Sequence, residues 1–235
     1  CLFEDIIPPL IRLTNFPSDK ISLLCLQILA KFASMKLKAF EHGSDSLMRR
    51  LIALLNASSH ADSQLVQDCL RLIANLLQRH TSFTPTNAHY RIILRIAFEN
   101  IEFERNAAIC YAVLNAVLSR RPLLSEIYIG IDKICYLVAS GTSEFLRKIC
   151  SQIFLKFLLD YPLGARRLQH YLEVLISNLK YEHSAGRLSV IHTLHAIILK
   201  FPKNTLRDIV EVILLPVVVR MGTDICNVCR RSAGD

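Results

Sequence analysis

Tryptophan is absent from this 235-residue sequence, and glycine is scarce, with seven in all. So few glycines leave little backbone freedom to wrap a phosphate, and no G-x-x-x-x-G-K-[ST] run occurs, which argues against nucleotide chemistry. The glycine-flanked elbow of the serine hydrolases is missing as well. Long uncharged runs are also lacking. The longest stretch free of Asp, Glu, Lys and Arg runs from Asn106 to Ser119 and carries two Asn and a Ser. A membrane span needs roughly 18 to 20 apolar residues, so no membrane partner is expected. Sustained period-two alternation bounded by hairpin turns is not found, which excludes a strand-based fold. Seven Gly and eight Pro against 52% hydrophobic residues exclude a disordered chain.

What the sequence does have is apolar residues at helical spacing almost throughout. Leu168, Tyr171, Leu172, Leu175, Ile176 and Leu179 follow i, i+3, i+4, i+7, i+8, i+11, so one face of that helix is buried. Residues 145–158 repeat the pattern, with Phe145, Ile149, Ile153, Phe154 and Phe157 opposite Arg147, Lys148, Gln152 and Lys156. Most of the eight cysteines (1, 25, 69, 110, 135, 150, 226 and 229) sit inside such patterns, as in Leu24-Cys25-Leu26. There a free thiol is a small core residue, and a reducing compartment is expected.

The helical runs are interrupted on a regular beat. Pro122, Pro162 and Pro202 each end an apolar run, at intervals of forty residues. Proline cannot continue a helix interior and pushes its predecessor out of the helical region, so each marks an end and a restart. Softer turns fall midway, at Ser140-Gly141-Thr142, Glu182-His183-Ser184 and Gly222-Thr223-Asp224. Upstream the breaks are looser: Asn15-Phe16-Pro17, His42-Gly43-Ser44, Ser58-Ser59-His60, Thr84-Pro85-Thr86 and Asn100-Ile101. A two-helix unit of about forty residues is the mark of a HEAT or armadillo type solenoid. The expected fold is therefore all-α: antiparallel helix hairpins, five or six of them, forming one solenoid segment over residues 1–235. Pro162 and Gly164 then form a corner between repeats rather than a catalytic loop. Pro216 is expected to bend the first helix of the last hairpin. A chain that opens on Cys1 and stops at Asp235 is expected to be a fragment of a much longer repeat protein with apolar ends exposed.

Residues 154–187 are more specific than periodicity. Phe154-Leu155-Lys156-Phe157-Leu158-Leu159-Asp160-Tyr161-Pro162-Leu163-Gly164, Ser177-Asn178-Leu179-Lys180-Tyr181-Glu182 and Gly186-Arg187 resemble the signature stretch of component twenty of the U3 small nucleolar RNA-associated proteins. Ala116-Val117-Leu118-Ser119-Arg120-Arg121 and Cys229-Arg230-Arg231 extend the resemblance. Leu188 departs from it where an acidic residue is expected. The resemblance implies a large HEAT-repeat scaffold of the small-subunit processome, in the nucleus and nucleolus, that holds pre-ribosomal or small nucleolar RNA and other processome proteins. It implies no reaction, no cofactor and no small-molecule substrate.

Charge points the same way without it. Lys and Arg exceed Asp and Glu by eight, and residues 145–235 hold 13 basic against 7 acidic residues. Such a balance favours acidic partners such as RNA. Arg120 and Arg121, Arg166 and Arg167, and Lys200 and Lys203 cluster at the proline corners Pro122, Pro162 and Pro202, which would form a basic ridge attractive to phosphates. Arg187 joins these candidate contacts. Taken singly, each cation is better read as a solvated turn residue keeping an apolar solenoid soluble, and the ridge as a whole carries more weight than its members. The alternative function is a general protein-binding solenoid, such as a transport receptor or adaptor with a peptide on its concave face. The lack of tryptophan and the basic charge count against an acidic or Asn/Trp ladder of that kind.

Two tempting motifs carry little. Cys226-Asn227-Val228-Cys229 with His192 and His195 has zinc-ligand residue types, but four ligands must converge tetrahedrally, and the histidines belong to a different hairpin. Two thiols one turn apart on a helix explain the pair better. His42-Gly43-Ser44-Asp45-Ser46 holds nucleophile, base and acid types but no spatial triad, and Ser44 or Asp45 reads as the N-cap of a helix beginning near Leu47.

Overall fold

The computed structural model describes residues 4–16, 18–35, 37–57, 63–80 and 83–234, and every regular element among them is helical. Twelve α-helices follow in order: α1 (Ile7–Leu13), α2 (Asp19–Ala33), α3 (Ala39–Ala57), α4 (Gln64–Arg79), α5 (Asn87–Asn100), α6 (Glu104–Arg120), α7 (Ser125–Ser140), α8 (Glu144–Asp160), α9 (Ala165–Ser177), α10 (Ser184–Lys200), α11 (Lys203–Thr223) and α12 (Asn227–Gly234). A 3-10 turn, Asn178–Lys180, extends α9. The chain divides into two compact units, residues 1–126 and 127–235.

The forty-residue beat is more regular than the prolines suggest. Helices α4, α6, α8 and α10 begin at Gln64, Glu104, Glu144 and Ser184, each forty residues after the last. Local chemistry sets the starts of α4, α5 and α8. The hydroxyls of Ser63, Thr86 and Ser143 accept from the backbone N–H of Val66, His89 and Leu146, satisfying donors that a first helical turn leaves unpaired. The three proline corners lie where expected, between α6 and α7, α8 and α9, and α10 and α11.

In the first unit α2 packs on α4 and α4 on α6, while α1 packs on α3 and α3 on α5. In the second, α8 packs on α10 and α10 on α12, with α9 on α11. Each unit thus has an even-helix layer and an odd-helix layer, the arrangement of stacked hairpins. Hydrogen bonds between successive even helices keep one register. Gln27 donates to Asp68, 41 residues on. Gln67 donates to Asn106, 39 residues on. Asn75 reaches back 45 residues to the carbonyl of Ala30, Arg120 reaches back 43 to Leu77, and Thr193 reaches back 42 to Ser151. Neighbouring even helices therefore run parallel, offset by one repeat.

Several expectations are corrected. No break occurs at His42-Gly43-Ser44, because α3 starts at Ala39 and runs through these residues, so neither Ser44 nor Asp45 caps a helix. The break lies earlier, between Ala33 and Ala39. The expected turns at Ser58-Ser59-His60 and at Pro17 lie outside the described residues. Phe145, on the buried face of α8 by its spacing, is 47% exposed, while Ile149, Ile153, Phe154 and Phe157 are buried. Pro216 lies inside α11, and that helix leaves Val210, Leu214, Leu215, Val218 and Val219 exposed. Six of the seven described cysteines are buried.

Two glycines of the signature stretch play opposite parts. A Cβ on Gly186 would stand 2.3 Å from the Ala139 carbonyl oxygen and 2.5 Å from Tyr181 Cδ1, so α10 can meet the end of α7 only through a glycine. A Cβ on Gly164 would meet nothing within 4 Å, and its backbone is extended rather than left-handed. Gly186→Ala is accordingly expected to lose about 2 kcal/mol of stability through overpacking. Gly164→Ala should stay within about 0.5 kcal/mol of the parent, as surface changes do. Urea denaturation of the two variants checks both.

Candidate nucleic-acid interface

The sequence groups the candidate cations by corner; the structure sorts them by what they already hold. Arg120 is half-buried: its Nε donates to the Leu77 carbonyl at 2.9 Å and its guanidinium to that of His80 at 2.6 Å, closing the C-terminal end of α4. Its neighbour Arg121 is exposed and ends α6 in the left-handed conformation, φ 53°, ψ 43°. Glycine is the usual occupant there, because a Cβ costs about 1 kcal/mol. Pro122 follows directly and stops the helix from continuing.

The other two corners belong to the second unit. Arg166 and Arg167 are exposed on the first turn of α9, and the Arg167 guanidinium lies 4.9 Å from the centre of the Tyr128 ring. Tyr128 in turn stands edge-on to Phe157 and Tyr161, an aromatic cluster that anchors the corner containing Pro162. Lys200 ends α10 and Lys203 begins α11, both exposed on either side of Pro202. Because α8 and α10 run parallel, these two corners fall on the same edge of the unit. Neither helix start has a side-chain cap or an acidic first turn: Gly164 precedes α9 and Pro202 precedes α11. Each corner thus combines exposed cations with a helix N-terminus that no N-cap side chain closes, both of which favour an anion.

Arg187 does not belong to this surface. It is 6% exposed, and its Nε and a terminal nitrogen each donate at 2.8 Å to the two oxygens of Asp224, which is 1% exposed. The remaining nitrogen donates to the carbonyls of Tyr181 and Glu182. Arg187 therefore joins the α9–α10 hairpin to the end of α11. Its hydrogen bonds hold the Asp224 carboxyl below the usual carboxylate range, despite burial pushing the other way.

The zinc-type residues do not converge. His192 and His195 are exposed on α10, while Cys226 and Cys229 flank the start of α12. Among the described residues no group of three or more His, Cys, Asp or Glu is placed to hold a metal ion. Burial pushes the Cys229 thiol up to about 11, and backbone N–H donors at the helix start lower that of Cys226. No described helix is long and apolar enough to cross a membrane.

One feature lay outside sequence reasoning. A groove of about 590 Å³ runs between α8 and α10, lined by Arg147 and Lys148 on one helix and by His192 and Lys200 on the other. The pattern of α8 marks Arg147 and Lys148 only as solvent-facing; the groove appears when α10 is laid beside them.

These features define an all-α repeat solenoid of the armadillo and HEAT kind with cationic corners. A designed armadillo repeat protein in complex with the peptide (KR)4 matches 97% of this chain and 96% of its own at 13% identity, TM-score 0.59. Another, computationally designed for modular peptide recognition, matches 97% of each chain at 12% identity and TM-score 0.56. In sequence, the chain is similar to U3 small nucleolar RNA-associated protein 20 of Schizosaccharomyces pombe, 23% identical over 218 residues that are 93% of this chain and 9% of that protein. The protein of the same name from Saccharomyces cerevisiae is 23% identical over 185 residues, 79% of this chain and 7% of its own length. The chain therefore spans less than a tenth of either relative. No protein-family model matches it.

The Arg187–Asp224 pair gives a pH-dependent prediction. The folded-state pKa of Asp224 is depressed, so its stabilisation is present above the unfolded value of about 3.9 and disappears as pH falls through the folded value. Arg187→Ala leaves a buried carboxylate alone and should cost about 3 kcal/mol at pH 7. That difference should shrink as the pH is taken from 7 to about 3, below the unfolded carboxylate value of about 3.9. Denaturant titrations of parent and variant at the two pH values measure it.

Proposed function

We propose that this chain is a non-enzymatic scaffold stretch of a much longer HEAT-repeat protein acting in pre-ribosomal RNA processing and small ribosomal subunit assembly, in the nucleolus. The observation that carries the reading is the similarity to the two yeast U3 small nucleolar RNA-associated proteins, which spans both compact units and extends over 93% of the chain in one case. A stacked-hairpin fold suits such a part, because each repeat adds surface without needing a closed cavity. On this reading the partners are pre-ribosomal or small nucleolar RNA and other processome proteins.

We assign RNA contacts to Arg121 in the first unit and, separately, to Arg166, Arg167, Lys200 and Lys203 in the second. Five exposed cations beside helix ends suit phosphate contact with little sequence discrimination. Arg121 supports this assignment by its cost: an arginine holds a left-handed position that glycine would fill with less strain.

Crosslinking the full-length protein to RNA in nuclear extract tests the assembly role. Recovery of U3 and pre-ribosomal RNA is expected, and crosslinks to cytoplasmic messenger RNA alone would contradict it. For the surface, binding of the 235-residue chain to a structured RNA should weaken linearly with the logarithm of salt concentration. Replacing Arg166, Arg167, Lys200 and Lys203 by alanine should flatten that slope by roughly 0.7 to 0.9 for each phosphate that is no longer neutralised. Arg121→Gly should weaken RNA binding while raising stability by about 0.5 kcal/mol.

A further inference from the structure

The α8–α10 groove is built by what its walls omit. Ser151 on α8 and Ala185, Ser189, Thr193 and Ala196 on α10 line it, and these small residues leave open a space that larger ones would fill. Thr193 spends its hydroxyl inside the fold, on the Ser151 oxygen at 2.8 Å and the Ser189 carbonyl at 2.7 Å, and the middle of the groove holds Gln152 and His192 but no Lys, Arg, Asp or Glu among its described lining. Leu155 and Leu188 add apolar wall.

The charges sit at the ends. The offset of 42 between Ser151 and Thr193 sets Arg147 level with Ser189. Lys200 lies eleven residues farther along α10, about 16 Å at the helical rise. Lys148 and Lys200 are exposed, and neither has a hydrogen-bond or ion-pair partner among the described residues. Arg147 is held in place by its bond to the Gly141 carbonyl at 2.7 Å. Among the described residues lining the groove, Glu144 is the one acidic side chain, against three cations. A cavity of this size lies within the range of ligand sites.

We propose that this groove binds an extended acidic segment of a protein partner, with apolar side chains on the floor and carboxylates at its two ends, on Arg147 with Lys148 and on Lys200. About 16 Å accommodates about five extended residues at 3.3 Å each. A nucleic-acid strand fits less well, since it carries a charge at every nucleotide and would leave phosphates over the uncharged middle. This inference goes beyond the ribosome-assembly reading and does not depend on it.

Fluorescence anisotropy with the 235-residue chain and a labelled peptide, Asp-Asp-Leu-Ser-Leu-Glu-Glu, tests it. Saturable binding is expected, about tenfold tighter than to Lys-Lys-Leu-Ser-Leu-Lys-Lys and than to Asp-Asp-Ser-Ser-Ser-Glu-Glu, which lacks the apolar centre. Exchanging the two exposed lysines together, Lys148→Glu with Lys200→Glu, should weaken binding about tenfold or more. Ala185→Trp, at an exposed position, should block the groove without disturbing the core. Circular-dichroism melts of both variants confirm that they fold. The proposal is overturned if saturable binding is absent, if the three peptides bind alike, or if folded variants retain full affinity. It is equally overturned if octauridylate binds tighter than the acidic peptide and displaces it, which would make the groove a nucleic-acid site. RNA recovery from nuclear extract is unaffected by any of these results, so the two readings fail separately.

Discussion

The register between successive even helices is the constraint on which the rest depends. Gln27 to Asp68, Gln67 to Asn106 and Thr193 to Ser151 all join residues about one repeat apart. Asp68 is fully buried, so it must keep its partners or meet the cost of an unpaired carboxylate. A slip of one helix past the next would break these bonds and misplace the apolar faces together. Fixed in this way, the even helices run parallel, and every corner from an even to an odd helix within a unit falls on the same edge.

That geometry explains why cations of similar sequence context have different uses. Arg166 and Arg167 follow a corner and begin a helix, so their side chains lie outside the packed layers. Arg120 ends a helix one turn earlier in its corner and is drawn onto the carbonyls of α4. Arg187 enters α10 where that helix meets the end of α11, and Asp224 takes it inside. The signature stretch of residues 154–187 is largely structural on the same grounds. Tyr161 joins the aromatic cluster, Asn178 donates to the Cys135 carbonyl, Gly186 admits α7, and Arg187 ties the following hairpin. What distinguishes the resemblance is therefore the packing of the repeats, while the proposed contact surface rests on charge.

Much of the fold was legible because proline acts locally. Pro122, Pro162 and Pro202 each lie just past the end of a helix, and the forty-residue interval follows from their positions alone, although Pro216 is carried inside α11. Where breaks depend on packing, reading from sequence fails. The turn between α2 and α3 holds no proline or glycine, whereas Gly43 sits within α3, where the helix carries it. Phe145 matches the buried period of α8 yet is exposed, while Leu146 beside it in the first turn takes the buried place. The burial of Arg187 and the groove beside Lys148 both need a partner some forty residues away. No local pattern announces such a pairing.

A double-mutant cycle on Gln67 and Asn106 measures the ladder most directly, since the bond links α4 to α6 through side chains alone. Stabilities of Gln67→Ala, Asn106→Ala and the double variant should fail to add by about 0.5 to 1 kcal/mol if the bond holds the two helices in register. Strict additivity would show that the two side chains do not interact, and would contradict a register set by this ladder.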